Sequence, residues 1–173
     1  MQKGFFIIHT GNGKGKTTAA LGQILRAMGY EKRICMIQFI KGSWQYGELF
    51  SIKRFSELLD FHVMGKGFTF LSNNLDEDRR VAQEGWLIAK KALQSKDYFM
   101  VVLDEFTYLL NYQFLDMQEA LSALNSRRPD LHVVITGRDA PQELIDIADL
   151  VTEMTDIKHP YHSGVKARKG IEF

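Results

Sequence analysis

The sequence contains one cysteine, Cys35, among its 173 residues. A single thiol can form neither an internal disulfide nor a metal site made of several cysteines, so both are excluded. Cys35 stands inside the apolar stretch RICMIQFI. This position predicts a small buried strand residue rather than a reactive nucleophile.

Long apolar runs and excess charge are also absent. No run approaches the roughly 18 apolar residues of a membrane span, and the short FFII run after Met1 lacks the small-residue cleavage site of a secretory signal. We therefore expect a cytoplasmic protein with no membrane partner. The formal net charge is +1, which argues against the broad basic surface of a DNA- or RNA-binding protein. Any polyanion that this chain binds should be small and held by local groups.

The sequence contains few prolines and no proline-rich linker between domains. Only Pro129, Pro141 and Pro160 occur, and the chain has no internal repeat or low-complexity tract that would mark a domain boundary. A length of 173 residues suits one compact core. We therefore expect a single domain over residues 1–173.

Hydrophobic patterning indicates a parallel α/β protein. Continuous apolar runs, typical of strands buried on both faces, occupy residues 4–10, 33–40, 98–105 and 131–137. A shorter run at 60–65 is a further strand candidate, and helical spacing is clearest at 75–94. Alternating strands and helices predict a three-layer α/β/α fold with a mostly parallel central sheet. Ligands of such sheets bind beyond the carboxyl ends of the strands.

The stretch HTGNGKGKTT, residues 9–18, lies where a predicted strand ends and a predicted helix begins. Its glycines allow the backbone to turn so that N–H groups face phosphate oxygens, and the helix start adds a positive dipole end. Lys16 supplies a cation, with Lys14 nearby, and the Thr17 hydroxyl is placed to ligate Mg²⁺. The loop therefore indicates a fold of the phosphate-loop NTPase, RecA-like type.

The spacing of this loop is one residue short of the standard phosphate-loop pattern, because position 10 is threonine and the first glycine is Gly11. A glycine-rich turn with incidental lysines is the competing interpretation. The candidate nucleotide-binding residues of the loop are Gly11, Asn12, Gly13, Lys14, Gly15, Lys16, Thr17 and Thr18.

Two further strand ends carry polar residues that should meet the loop. Asp104 and Glu105 end the run MVVLDE. Either one of them ligates Mg²⁺ directly, or both start the next helix, where acids favour the first turn. Arg138 follows VVITG and either clamps phosphate or ribose or pairs with Asp139 or Glu143 at the surface.

Taken together, the loop GNGKGKTT and the segments QFIKGSWQYGE, GFTF, VVLDEFTY, ITGRD and KHPYHSGVKARKGIEF resemble the ATP:corrinoid adenosyltransferases of the cob(I)alamin or cob(I)yrinic acid a,c-diamide type. The resemblance covers residues 4–173. It implies one adenosyltransferase domain in which the Co(I) of a reduced corrinoid attacks C5′ of ATP and expels triphosphate, in adenosylcobalamin biosynthesis or salvage. It also implies that ATP lies in the opposite sense to ordinary phosphate-loop enzymes, because the family's loop is one residue short.

The resemblance also assigns roles to individual residues. Lys16 stabilises the leaving triphosphate, while Thr17 and Glu105 ligate Mg²⁺. Phe68 and Phe70 of GFTF are the aromatic residues that displace the lower ligand of cobalt, and the family has Trp where this chain has Phe70. From the residues alone, GKGFTFLS also suits core aromatics at a strand edge. The family further implies a homodimer and a protein reductant, for which a flavoprotein is the candidate.

Other interpretations stay open from the sequence. A small-molecule kinase or ATPase with the same loop would release ADP, and a regulatory nucleotide-binding module would show no turnover. Trp44 either lines the corrinoid site or packs under a loop. His159 and His162 are expected to be surface or subunit-contact residues, because Pro160 breaks helical spacing and no acid stands nearby.

Overall fold

A six-stranded parallel sheet forms the centre of the part of the chain that the structure describes. The computed structural model describes residues 2–40, 46–55, 57–65 and 75–172. Its strands are β1 (Phe6–Thr10), β2 (Ile34–Gln38), β3 (Leu59–Val63), β4 (Met100–Asp104), β5 (His132–Thr136) and β6 (Leu150–Glu153). They lie in the order β3-β2-β4-β5-β1-β6, and every neighbouring pair is parallel.

Helices connect the strands, as parallel pairing requires. They are α1 (Lys16–Met28), α2 (Gly47–Ile52), α3 (Leu75–Gln94), α4 (Thr107–Asn111), α5 (Met117–Asn125) and α6 (Gln142–Ile147). One short 3₁₀ helix, Lys53–Phe55, comes directly after α2, and another, Pro160–Ser163, comes after β6. None of these described helices is long and apolar enough to cross a membrane.

The core has two parts, one on each face of the sheet. Alternate strand residues point to opposite faces, so Ile8 packs with Trp86 of α3 in one cluster, and Ile7 packs with Ile24 of α1 in the other. The sheet is therefore covered by α1 on one side and by α3 on the other. This arrangement confirms the predicted three-layer α/β/α fold with a parallel sheet.

Most predicted elements are present, and one strand was missed. The run at 60–65 contributes β3, and the helix predicted at 75–94 is α3. The sequence interpretation did not include β6, in which all four residues are exposed. Because β6 is an edge strand, it lacks the continuous apolar run by which the buried strands were recognised.

Cys35 lies in β2, where its side chain is buried. Burial, with the nearby Asp60 carboxylate, raises the pKa of the Cys35 thiol to about 12. The thiol is therefore protonated at neutral pH. A protonated, buried thiol is a packing group rather than a nucleophile, as the sequence predicted.

The residue directly after β5, Gly137, occupies a position where a larger side chain does not fit. Gly137 has a φ of +149°, and a Cβ atom there would lie 1.9 Å from Thr107 Oγ1. Thr107 is fully buried, and its hydroxyl donates a 2.6 Å hydrogen bond to the Arg138 carbonyl oxygen. The threonine cannot turn away without losing this bond, so the space beside Gly137 is closed to a side chain.

We expect Gly137→Ala to lower the free energy of unfolding by about 2–4 kcal/mol, because strain and overpacking add at this position. Urea denaturation measures the change. Gly22→Ala is the matched control, since no atom lies within 4 Å of a Cβ placed on Gly22 of α1. There the same substitution should stabilise the protein by up to about 1 kcal/mol through helix propensity. Equal effects of both substitutions would contradict the steric explanation.

Candidate functional site

Polar side chains collect at the carboxyl edge of the sheet. The buried polar or charged residues among the described part of the chain are His9, Thr10, Gln38, Asp104, Thr107 and Thr136. Each lies at or just beyond the carboxyl end of a strand. Burying such groups costs free energy unless they form hydrogen bonds, and their concentration at one edge marks this edge as the candidate site.

The loop between β1 and α1 turns sharply over this edge. Gly11 and Gly15 have φ angles of +93° and +116°, values that favour glycine. Gly13 packs against the backbone that follows β6, where its N–H donates a 2.6 Å hydrogen bond to the Met154 carbonyl oxygen. The Gly13 N–H therefore faces Met154. In this respect the structure differs from the expectation that successive loop N–H groups face phosphate.

Lys16 lies at the start of α1 and folds back over the loop. Its Nζ donates 2.7 Å hydrogen bonds to the carbonyl oxygens of Gly11 and Gly13. Burial lowers the pKa of Lys16 and the nearby Arg138 lowers it further, while Glu105 acts in the opposite direction. The first turn of α1 reads KTTA and contains no acidic residue, so the positive end of the helix and the lysine together favour an anion here.

Asp104 holds the hydroxyl of Thr17 through a buried hydrogen-bond network. Its Oδ1 accepts from Thr17 Oγ1 at 2.9 Å and from Thr136 Oγ1 at 2.6 Å, and its Oδ2 accepts from Gln38 Nε2 at 2.8 Å. The β2–β4 register places Gln38 directly beside Asp104. Gln38 in turn accepts a short hydrogen bond from the Tyr46 hydroxyl. Because the Thr17 hydroxyl donates its proton to Asp104, the lone pairs of Thr17 Oγ1 can coordinate a cation.

Glu105 lies next to Asp104 and points into a different environment. Its φ is +60°, and its backbone N–H donates to Thr136 Oγ1 at 2.9 Å. Asp104 is fully buried, whereas Glu105 lines the open cavity together with Thr17. A carboxylate and a hydroxyl are hard oxygen ligands of the kind that Mg²⁺ prefers. The chemistry of these two side chains therefore suits Mg²⁺.

The rest of a metal shell would come from other sources. Among the described residues, no group of three or more His, Cys, Asp or Glu side chains is arranged to hold a metal ion. Mg²⁺ in nucleotide enzymes commonly uses one or two protein ligands and completes its octahedron with phosphate oxygens and water. The donor set of Thr17 and Glu105 suits that mode of binding.

Arg138 lies on the same edge, beyond β5. Its side chain is exposed and lines the cavity beside Lys16 and Glu105. Within the described part of the chain it forms no ion pair with Asp139 or Glu143, the surface alternative that the sequence left open. The guanidinium can therefore reach a ligand in the cavity.

The cavity has a volume of about 730 Å³, a size typical of sites for small molecules. One end is polar and is lined by residues of the loop from Lys14 to Thr18, with Glu105 and Arg138. The segments from α1 to β3 contribute mainly apolar side chains, together with Glu48 and Ser51 of α2. The apolar lining residues are Leu21, Ile24, Leu25, Met28, Ile52, Phe55 and Leu59. Gly11, Asn12 and Gly13 do not line it.

Known proteins resemble this chain over nearly its full length. The sequence model of the family described as ATP:corrinoid adenosyltransferase BtuR/CobO/CobP matches residues 2–173. The corrinoid adenosyltransferase of Pseudomonas aeruginosa is 40% identical over 172 residues, covering 99% of this chain and 85% of the relative. The corrinoid adenosyltransferase of Escherichia coli K12 is 41% identical, covering 99% of this chain and 87% of the relative. The chain belongs to the ATP:corrinoid adenosyltransferase family.

Membership of this adenosyltransferase family defines the enzyme class and favours adenosyl transfer over the kinase or ATPase alternative. Solved structures support the fold independently. The flagellar accessory protein FlaH from Methanocaldococcus jannaschii superposes with a TM-score of 0.55 at 10% identity, covering 88% of this chain and 72% of that protein. A KaiC-like protein from Pyrococcus horikoshii OT3 gives a TM-score of 0.52 at 14% identity, covering 91% and 75%. At such identities the likeness concerns the fold alone.

Three aromatic residues named in the sequence analysis fall outside the part of the chain that the structure describes. Phe68 and Phe70, the predicted aromatic pair of the adenosyltransferase site, lie outside the described residues, and so does Trp44. Their roles stay predictions.

His162 is at the surface, as expected, and His159 is half-buried, but one detail of the sequence interpretation was wrong. His162 is exposed, and its Nε2 lies 2.8 Å from Asp156 Oδ2. An acid is therefore near His162, because the chain between residues 156 and 162 turns back on itself. The sequence separation of six residues concealed this contact.

The sequence interpretation also missed the residues that support Asp104. Gln38 ends an otherwise apolar strand, Thr136 follows the apolar residues 133–135, and Tyr46 follows a stretch outside the described residues. A polar residue at the last position of a buried strand was the available signal, because such a group must find a partner at the sheet edge.

Proposed function

We propose that this protein transfers the 5′-deoxyadenosyl group of ATP to the Co(I) of a reduced corrinoid and releases triphosphate, in adenosylcobalamin biosynthesis or salvage. The observation that carries the proposal is the family match over residues 2–173. The short loop with Lys16 at a helix start, beside Thr17 held by Asp104, supplies a matching place for the triphosphate. ATP and the corrinoid are the substrates in this scheme.

The polar end of the cavity would bind the phosphates. Lys14, Lys16 and Arg138 provide positive charge, and the start of α1 adds its dipole. Thr17 and Glu105 would hold Mg²⁺, which stabilises charge on the triphosphate. These groups act most strongly where negative charge accumulates on the leaving triphosphate, which is the requirement for electrostatic catalysis.

The chain need not supply a nucleophile for this reaction. Co(I) of the substrate is itself the attacking group, so the cobalt–carbon bond forms as the bond from C5′ to the triphosphate oxygen breaks. The contribution of the protein is to align cobalt, C5′ and the leaving oxygen. The buried thiol of Cys35 is protonated and is therefore not a nucleophile, which is consistent with a nucleophile supplied by the substrate.

Further parts of the proposal rest on the family resemblance. ATP would bind in reversed sense on the shortened loop, from Gly11 to Lys16, and Phe68 and Phe70 would replace the lower ligand of cobalt. Residues 1–173 would act as a single adenosyltransferase domain within a homodimer. A reductant protein, for which we propose a flavoprotein, would supply the electron that converts Co(II) to Co(I).

The reaction products test the proposal directly. The protein is incubated anaerobically with Mg²⁺, ATP and chemically reduced cobalamin, the corrinoid spectrum is followed, and phosphorus products are identified by ³¹P NMR. We expect one inorganic triphosphate for each adenosylcorrinoid formed. Release of ADP would instead indicate a kinase or ATPase, and an unchanged corrinoid spectrum would reject adenosyl transfer. A parallel reaction with reduced cobyrinic acid a,c-diamide, compared by kcat/KM, identifies the preferred corrinoid.

A further inference from the structure

The segment that follows β6 returns to the phosphate loop. We call residues 155–172 the tail segment. Its side chains are exposed or half-buried throughout, and none is buried. Nevertheless Gly170, Ile171 and Glu172 line the same cavity as Lys14 and Lys16. A segment held by so few buried contacts can move at low cost in free energy.

A charged contact joins the tail segment to the loop. Glu172 Oε1 lies 3.1 Å from Lys14 Nζ, and the two side chains are 22% and 41% exposed. The other carboxylate oxygen, Oε2, accepts a 2.7 Å hydrogen bond from the Arg168 N–H. The Glu172 and Ile171 N–H groups both donate to the Arg168 carbonyl oxygen, which closes a turn that presents the carboxylate to the loop. The hydrogen bond from the Arg168 N–H lowers the pKa of Glu172, and Lys14 lowers it further by a smaller amount. The carboxylate is therefore ionised at neutral pH.

The two loop lysines differ in what holds them. Lys16 is bonded to carbonyl oxygens of the loop itself. Lys14 is paired with a carboxylate from a segment more than 150 residues further along the chain. Of these two cations, Lys14 is therefore the one whose partner can leave when the tail segment moves.

Adenosyl transfer makes release of the phosphate product difficult. The triphosphate that leaves keeps all three phosphates of ATP, so the loop can bind it through the same charges that bound the substrate. We propose that Glu172 competes with triphosphate for Lys14, and that this competition weakens product binding and speeds product release. This inference rests on the proposed function, because it takes triphosphate as the product held at the loop.

The strength of the contact suits such competition. Exposed ion pairs contribute little, and salt screens them further. Triphosphate carries several negative charges and can displace one carboxylate from Lys14. The carboxylate belongs to the same chain, so its effective concentration near Lys14 is high, and it can bind Lys14 again when the triphosphate begins to dissociate. The contact therefore permits ATP to bind and still opposes retention of the product.

Glu172→Gln tests the inference, with binding of inorganic triphosphate in Mg²⁺ measured by calorimetry and its release measured by stopped flow. We expect about two- to fivefold tighter binding at low salt, the range that an exposed ion pair allows, and a slower release rate. The gain should shrink as salt is added. Asp156→Asn is the matched control, because it removes the same charge from the same segment at a carboxylate that contacts His162 instead. It should leave the Kd for triphosphate within about twofold.

A double-mutant cycle separates the specific contact from the general loss of negative charge. In a Lys14→Gln background, Glu172→Gln should no longer change triphosphate binding, because the competing pair is already gone. Unchanged or weaker binding by the Glu172→Gln single variant would overturn the inference, and weaker binding would identify the tail segment as a lid that closes on the ligand. If the unaltered protein itself fails to bind triphosphate, the proposed function fails, and this inference fails with it.

Discussion

Replacing Lys16 with alanine should lower kcat/KM for adenosyl transfer by roughly 10²–10³-fold, the usual cost of removing one group that stabilises charge in a transition state. The negative charge of this reaction develops on the triphosphate, and Lys16 stands at the helix start over which we propose the triphosphate lies. The loss should fall largely on kcat, because the stabilisation is greatest when the bond to C5′ breaks. Steady-state rates with pre-formed Co(I) corrinoid measure it without involving the reductant.

Lys90→Ala provides the control for this experiment. Lys90 is likewise a lysine whose Nζ has a partner, since it lies 2.8 Å from Glu119 Oε1, but it stands in the last two turns of α3 and does not line the cavity. Its removal should leave kcat/KM within about twofold, because surface pairs contribute little. Thermal unfolding of both variants shows whether the fold is intact. Near-normal kcat for a folded Lys16→Ala variant would contradict the phosphate role.

The architecture could be predicted because its signals are local. In β1, β2 and β4 every residue is buried, so the strands appear as continuous apolar runs. The helix α3 shows apolar residues on one face over 20 residues, and its bounds were predicted as they stand. The strand β6 follows neither pattern, because it pairs along one edge of β1 while its side chains stay exposed. Pairing of this kind depends on the neighbouring strand rather than on the residues of β6.

The candidate site could be predicted in part. The positions of Lys16, Thr17 and Glu105 on one edge follow from the rule that parallel strands end together. The sequence does not predict that Asp104 is buried and hydrogen-bonded while Glu105 lines the cavity. This difference depends on three donors to Asp104, which come from β2, β5 and α1. The contact of Glu172 with Lys14 could not be predicted either, because no periodic pattern connects the tail segment with the loop.

We propose different roles for the two adjacent acids. The Asp104 carboxylate accepts three hydrogen bonds from within the protein, and we propose that it orients the Thr17 hydroxyl. Glu105, turned outward by its left-handed backbone conformation, is placed to meet a cation. The loss of a group that orients a metal ligand typically lowers metal affinity or activity by about 10–100-fold.

Asp104→Asn should therefore impair the enzyme although Asp104 meets no substrate. In one orientation the new amide nitrogen faces the Gln38 donor, and in the other it faces the hydroxyl oxygens of Thr17 and Thr136. The second arrangement engages the Thr17 lone pairs that Mg²⁺ would use. We expect activity at limiting Mg²⁺ to fall by about 10–100-fold, the usual effect of losing a group that orients a metal ligand. The free energy of unfolding should fall by about 1–3 kcal/mol, because a buried donor loses its acceptor.

The dependence of rate on Mg²⁺ concentration distinguishes orientation from general damage. If Asp104 acts by orienting Thr17, the KM for Mg²⁺ should rise and high Mg²⁺ should restore part of the rate. Asp60→Asn is the control, because Asp60 accepts from Arg33 and Tyr98 at the opposite end of the sheet. That variant also loses a carboxylate that accepts side-chain hydrogen bonds, yet its KM for Mg²⁺ should not change. A folded Asp104→Asn variant with unchanged Mg²⁺ dependence would contradict the proposal that Asp104 orients Thr17 for metal binding.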